Sequence, residues 1–212
     1  MNNPHGMLFV ATSVAPEDDA DFNQWYDHEH VEERVAIEGF LSGTRYRAVA
    51  AARRYLGLYE TASLETFTSA AYHAAFTRQT EWSVTNLNRM INPKRRVCAV
   101  THRHGRGQGA HLAILTLPAY AEGTALQAWQ QQLPQVPGYI SSCLLTPDVS
   151  LSTPLPRETD ADRPMHAMLL LHCADETASV TLADMAAHTF NADAERYALS
   201  WQLARQEISY EQ

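Results

Sequence analysis

At 212 residues the chain has room for one large domain or two small ones. A formal net charge of −8 argues against general nucleic-acid or anionic-membrane binding, both of which rest on basic surface. The 45% apolar content is ordinary for a globular protein, and no segment approaches the ~20 apolar residues of a membrane span. The start of the chain lacks the pattern of a signal peptide. Of its sixteen basic residues only Lys94 is not Arg. Cys98, Cys143 and Cys173 are widely spaced and odd in number, as buried thiols of a reducing compartment would be, so a cytoplasmic location is expected.

Met7 to Val14 reads as a first strand. Pro16, followed by Glu17, Asp18 and Asp19, starts a helix that runs to about Glu38 and ends at Gly39. Phe40 to Val49 alternates as a strand, with Phe40, Ser42, Thr44, Tyr46 and Ala48 on one face, and Arg53 to Glu60 forms the other arm of a hairpin. Ser63 caps a long helix closed by Asn92 and Pro93, and Arg95 to Thr101 is a fourth strand. After a glycine-rich linker, Gly105 to Gly109, the order recurs. His111 to Leu117 is a strand, and Thr124 to Leu133 is a helix cut short by Pro134 and Pro137. Gly138 to Leu145 and Met165 to Cys173 are strands, separated by a loop over Thr153 to Pro164. Thr181 to about Tyr197 is a helix, and Ser200 to Ile208 is the last strand. The expected class is α+β, with two ferredoxin-like βαββαβ halves, 1–106 and 107–212, each supplying the other's partner sheet as a pseudo-dimer.

Chemistry is concentrated between Phe22 and Tyr46. On an α-helix of about 100° per residue, Phe22, Trp25, Tyr26, Glu29, Glu33, Ala36 and Ile37 form one stripe. Two carboxylates inside an aromatic face repel each other and are costly to bury, so one has a raised pKa or meets an arginine of the hairpin: Arg45, Arg47, Arg53 or Arg54. His28 and His30 stand about 200° apart and cannot share a metal ion. His30, one turn from Tyr26, Glu33 and Arg34 and three residues from Asp27, suits a general acid or base. A structural hydrogen bond of His30, or a Glu–Arg clamp from helix to sheet, competes with that reading. His102 and His104 form a weak metal pair with no further ligand nearby. The first half is expected to carry the working site, because Trp129 to Gly138 (WQQQLPQVPG) holds no titratable side chain. On that expectation Gln130→Ala and Gln131→Ala leave ligand binding unaffected.

The run WYDHEHVEERVAIEGFLSGTRY, with RRYLGLYE after it, resembles the EthD-like branch of the dimeric α+β barrel superfamily. The matching residues are Trp25, Tyr26, Glu29, His30, Gly39, Phe40, Arg45 and Tyr46, with Glu38 where the family usually has proline. The resemblance covers residues 7 to about 104, and the second half is matched by topology alone. It implies a barrel with a pocket of the kind that hosts isomerases, cyclases, decarboxylases, cofactor-free monooxygenases and haem proteins. Three readings are open. The first is a small-molecule enzyme doing proton transfer on a carbonyl or aromatic intermediate without a metal or cofactor. In it His30, Glu29 and Glu33 are catalytic, and Trp25, Tyr26, Arg45 and Tyr46 bind substrate. The second is a haem-binding or monooxygenase-type barrel, with His73, His102 or His188 as haem candidates. The third is a non-catalytic binding or assembly protein. A small-molecule ligand and a second copy of the chain are the expected partners, with neither nucleic acid nor membrane among them.

Overall fold

The computed structural model describes residues 4–118, 123–158 and 163–208. The first half contributes strands β1 (Gly6–Ser13), β2 (Phe40–Ala50), β3 (Tyr55–Thr61) and β4 (Ile91–Gly105). The second contributes β5 (His111–Thr116), β6 (Tyr139–Pro147), β7 (Met168–Cys173) and β8 (Ala194–Ala204). They close into one antiparallel barrel in the order β1-β3-β2-β8-β5-β7-β6-β4. Within each half the order is fourth, first, third, second, which is the ferredoxin-like arrangement. The halves join where β2 pairs with β8 and β4 with β6, so neither sheet keeps an open edge. The expected α+β fold of the dimeric α+β barrel type is therefore present within a single chain.

Three apolar clusters arise from strand alternation. Phe9, Tyr46, Leu56, Leu112, Met168 and Tyr197 fill the barrel. Outside the first half, helices α1 (Asp19–Trp25) and α2 (Val31–Val35) bury Phe22, Trp25, Val31 and Val35 against Tyr55 and Tyr59. The helices α3 (Ala70–Thr77) and α4 (Glu81–Arg89) come next on the same side. Outside the second half, α5 (Thr124–Gln130) and α6 (Glu176–Phe190) enclose Leu126, Trp129, Leu182 and Phe190.

Four sequence readings need correction. The long helix after Ser63 is instead a 3-10 turn, Leu64–Thr68, and then two helices. Ser69 and Thr80 are extended residues that interrupt it and cap α3 and α4, accepting from the amides of Tyr72 at 3.1 Å and Ser83 at 3.0 Å. The sixth helix begins at Glu176 rather than Thr181, because Asp175 caps it by accepting from Ala178 N at 2.8 Å. It ends at Asn191 in the left-handed region (φ 48°), and β8 begins at Ala194 rather than Ser200, giving way to the short helix α7 (Arg205–Ile208). Finally, a register shift between Phe40 and Ser42 reverses the alternation of β2. Phe40 faces the helices, whereas Tyr46 and Ala48 face the barrel interior. Of the loop expected over Thr153–Pro164, residues 159–162 lie outside the described residues.

Candidate functional site

Between α1 and α2 the backbone widens into a π-helical turn, Tyr26–His30. One extra residue per turn rotates everything after it. The buried face runs Phe22, Trp25, Tyr26 and then His30, Val31, Arg34 and Val35, rather than Glu29, Glu33 and Ala36. The stripe read from an ideal helix therefore places Glu29, Glu33 and Ala36 inward in error, although Ile37 is buried as expected. Such turns recur at functional sites.

His30 is only 7% exposed. Its ring lies 4.4 Å from that of Trp25, 5.0 Å from Tyr26 and 6.3 Å from Tyr59, centroid to centroid. Its Nδ1 is buried with no hydrogen-bond partner among the described residues. Burial, then the charges of Arg34 and Arg45, hold its pKa well below the usual histidine value, so the imidazole is neutral. Burial likewise pushes the Tyr26 and Tyr59 hydroxyls up. Gly57 of β3 makes room for the Tyr26 hydroxyl, since a Cβ there would collide with it.

The carboxylates of the turn point elsewhere. Glu29 crosses to the start of α4, where it accepts from Thr80 Oγ1 at 2.6 Å and Ser83 Oγ at 3.1 Å. Ser83 Oγ in turn accepts from Trp25 Nε1 at 3.0 Å, which fixes the indole beneath His30. Glu33 is partly exposed, and its carboxyl is raised by burial and by Glu29 nearby. Neither glutamate pairs with a hairpin arginine. Arg45, 3% exposed, instead donates to Asp27 and to Asn23 Oδ1 at 3.2 Å, with its guanidinium 4.2 Å from the Tyr26 ring centroid. Arg54 pairs with Asp19 at 3.1 Å, Arg53 bonds the carbonyl of Asn92, and Arg47 lies over Tyr55. Asp27 also accepts from Trp201 Nε1 of β8 at 2.7 Å, tying the turn to the second half. No carboxylate among the described residues hydrogen-bonds His30.

The structure thus brings His30, Trp25, Tyr26 and Arg45 together, keeps Glu29 and Glu33 at their border, and separates Tyr46. Arg45 and Tyr46 are neighbours on opposite faces of β2. Tyr46 accepts from Gln108 Nε2 at 2.6 Å and lines a cavity of about 280 Å³ in one mouth of the barrel, with His172, Glu60, Arg103 and Ser142. His172 Nδ1 is buried without a partner, and burial lowers its pKa to about 4. Cys98 and Cys143 face the same interior, their thiols pushed up to about 12 by burial. Tyr59, Ser83 and His172 are site groups that the sequence reading missed, while Arg34 was named only as a neighbour of His30. Only Tyr59 had a signal, its spacing of two from Gly57 and four from Tyr55 on one strand face.

His102 and His104 engage separate partners, Gln127 Nε2 at 3.1 Å and Tyr139 Oη at 3.0 Å. His73 and His188 are exposed on their helices. None of the three sequence-named haem candidates projects into an apolar cavity, so these residues do not fit a haem.

No protein-family model matches this chain, and no curated protein matches it by sequence. Solved structures do match. An anthrone oxidase-like protein aligns at TM-score 0.66 and 14% identity, covering 96% of this chain and 94% of its own. A candidate monooxygenase from Fusobacterium nucleatum aligns at 0.60 and 8% identity, covering 96% of each chain. A haem-binding protein from Thermus thermophilus aligns at 0.52 and 7% identity, covering 97% of this chain and 94% of its own. At such identities the likeness is one of fold, and the fold is that of the dimeric α+β barrels.

Proposed function

We propose that the protein is a small-molecule enzyme of the α+β barrel type, moving a proton on a planar carbonyl-containing or aromatic compound without a metal. One observation carries the reading: a neutral, buried imidazole with an unpartnered Nδ1, held in a π-helical turn against an aromatic wall. A buried polar atom left unbonded costs about 1–3 kcal/mol, and a purely structural residue at that position would avoid the cost. Arg34 and Arg45 disfavour an imidazolium but favour an anion beside it, so an enolate or phenolate formed by proton abstraction is stabilised where it arises. His30 exchanges the proton, Trp25 and Tyr26 form the wall, and Arg45 supplies positive charge. Glu29 positions the site through Ser83 and Trp25, while Glu33 stands at its edge. Tyr46 belongs to the barrel mouth and takes no part at His30. The first half carries this site, and the second completes the barrel: its helix-to-sheet space is filled by Leu126, Trp129, Leu182 and Phe190.

The fold likeness to an anthrone oxidase-like protein makes anthrone a suitable first probe. Exchange of its acidic carbon-bound hydrogens for deuterium, monitored by NMR in the presence of a chelator, reads proton transfer directly. The protein should accelerate the exchange, and His30→Gln should slow it by roughly 10²- to 10⁴-fold. Equal rates with and without His30 would remove the residue from the mechanism, and loss of activity on chelation would remove the metal-free reading.

A further inference from the structure

Lys94, the only lysine of the chain, is unused by this reading. It lies on β4 opposite Ala11 of β1 and shares the inward face of the strand with Cys98. Its Nζ stands 5.5 Å from the centroid of the Phe9 ring, within the barrel mouth remote from Tyr46. Two clefts meet there. One, of about 240 Å³, is lined by Arg53, Arg96 and Arg157, and the other, of about 770 Å³, by Arg53, Thr116 and Glu195. No carboxylate among the described residues comes within ion-pairing distance of the Lys94 ammonium. Of the acidic groups of the clefts, Glu158 is held by Arg96 and Arg163 and Glu195 accepts from the amide of Ala52 at 3.1 Å, while Asp193 lines the larger cleft without an ion pair to Lys94.

We propose that Lys94 is a nucleophilic amine that condenses with the carbonyl of a small anionic compound of the 2-oxo acid class, whose carboxylate is received by Arg53 and Arg157. The amine nitrogen attacks the carbonyl carbon, and a proton passes from nitrogen to the former carbonyl oxygen. Loss of water, which takes the second nitrogen-bound proton, leaves the imine, so no oxidant or reductant is needed. Only lysine can do this among the basic side chains here, because a guanidinium does not give up its proton in a protein. Burial, then Arg96 and Arg53, lower the Lys94 pKa, against the weaker opposing effects of Glu195 and Cys98, and so raise the share of free amine. The site is independent of His30, which lies on the outer face of the barrel wall.

The test uses the full chain with glyoxylate and cyanoborohydride near neutral pH, with N-α-acetyllysine in the same solution as reference. Peptide mass mapping separates an adduct on Lys94 from one on the terminal amine. Lys94 should be modified several-fold faster than the reference, because its lowered pKa leaves more of the amine unprotonated near neutral pH. Relative to the same reference, the advantage should be larger with glyoxylate than with propionaldehyde, and Arg53→Gln should reduce it. A Lys94 rate at or below the reference would overturn the amine role. Equal advantages for the two aldehydes would overturn the anionic ligand. Both results are read on the unsubstituted protein, so neither depends on how a variant folds.

Discussion

Replacing His30 by phenylalanine should stabilise the protein while destroying its site. The Nδ1 atom is buried without a partner, and an orphaned polar atom of this kind costs about 1–3 kcal/mol. Phenylalanine keeps a flat ring against Trp25 and Tyr26 and removes the orphan, but the larger ring must fit beside an indole whose centroid is only 4.4 Å away. Overpacking takes back part of the gain. The expected net is about 1 kcal/mol, or a rise in Tm of roughly 2–4 °C for a chain of this size. Urea denaturation at pH 8 is the cleanest assay, because histidines of the unfolded chain are then neutral. At pH 5.5 the difference should widen. The folded pKa of His30 is depressed, so the unfolded wild type takes up a proton that the folded state refuses, and wild-type stability falls as pH drops below about 6.5. The variant lacks that loss. A destabilisation of more than about 1 kcal/mol at pH 8 would refute the reasoning, since the larger ring would then cost more than removing the orphaned Nδ1 gains.

His172 should give a second pH signature. With its pKa lowered from 6.5 to about 4 by burial and Arg103, against Glu60, it removes up to roughly 3 kcal/mol of stability between those two pH values, and His172→Gln should flatten that part of the curve. Gln130→Ala should cost about 1–3 kcal/mol in chemical denaturation, because the amide donates to the His102 carbonyl at 2.8 Å and to Ser142 Oγ at 2.9 Å in a buried position. Gln131→Ala, on an exposed residue, should stay within about 0.5 kcal/mol.

The order of strands along the chain was legible because most strands hold an apolar run bounded by glycine, proline or a charged turn, and because the order recurs after Gly109. Local breaks were less visible. Nothing in the run Ser69 to Thr80 distinguishes a capping hydroxyl from one on a continuous helix, and the helix start was placed at Thr181 because the cap at Asp175 was not recognised. The phase of β2 depended on a bulge at Phe40–Ser42 that leaves no mark in the alternation itself. At the site, Trp25, Tyr26 and His30 were found as a group, but the role given to Glu29 and Glu33 assumed 3.6 residues per turn. The actual partners of Glu29, Thr80 and Ser83, lie more than fifty residues away and could not be read locally. Arg95 and Arg96 illustrate the same blindness. As adjacent residues they face opposite sides of β4, one bonding Tyr72 Oη at 2.9 Å and the other pairing with Glu158.

The π-helical turn itself is open to a direct test. His28 is its exposed residue and makes no polar contact among the described residues. Deleting it shortens the turn by one residue and permits a continuous α-helix, in which His30 and Val31 come four positions after Trp25 and Tyr26. The buried face, which needs five positions across the turn in the native chain, is thereby kept. The rest of the helix moves by about 1.5 Å along its axis, a shift that the turn at Gly39 (φ 89°) must absorb. Packing should survive, with Tm within a few degrees of the wild type. The anchors cannot all survive, because Asp27 must still reach Arg45 and Trp201 while Glu29 reaches Thr80 and Ser83. His30-dependent proton exchange should therefore fall together with the native indole environment of Trp25, seen in the near-ultraviolet circular dichroism. Inserting one alanine after His28 is the opposite perturbation. It demands a second widening or turns His30 away by about 100°, and it should unfold the first half. If the deletion unfolds the chain and the insertion does not, the buried face is set by something other than the widened turn.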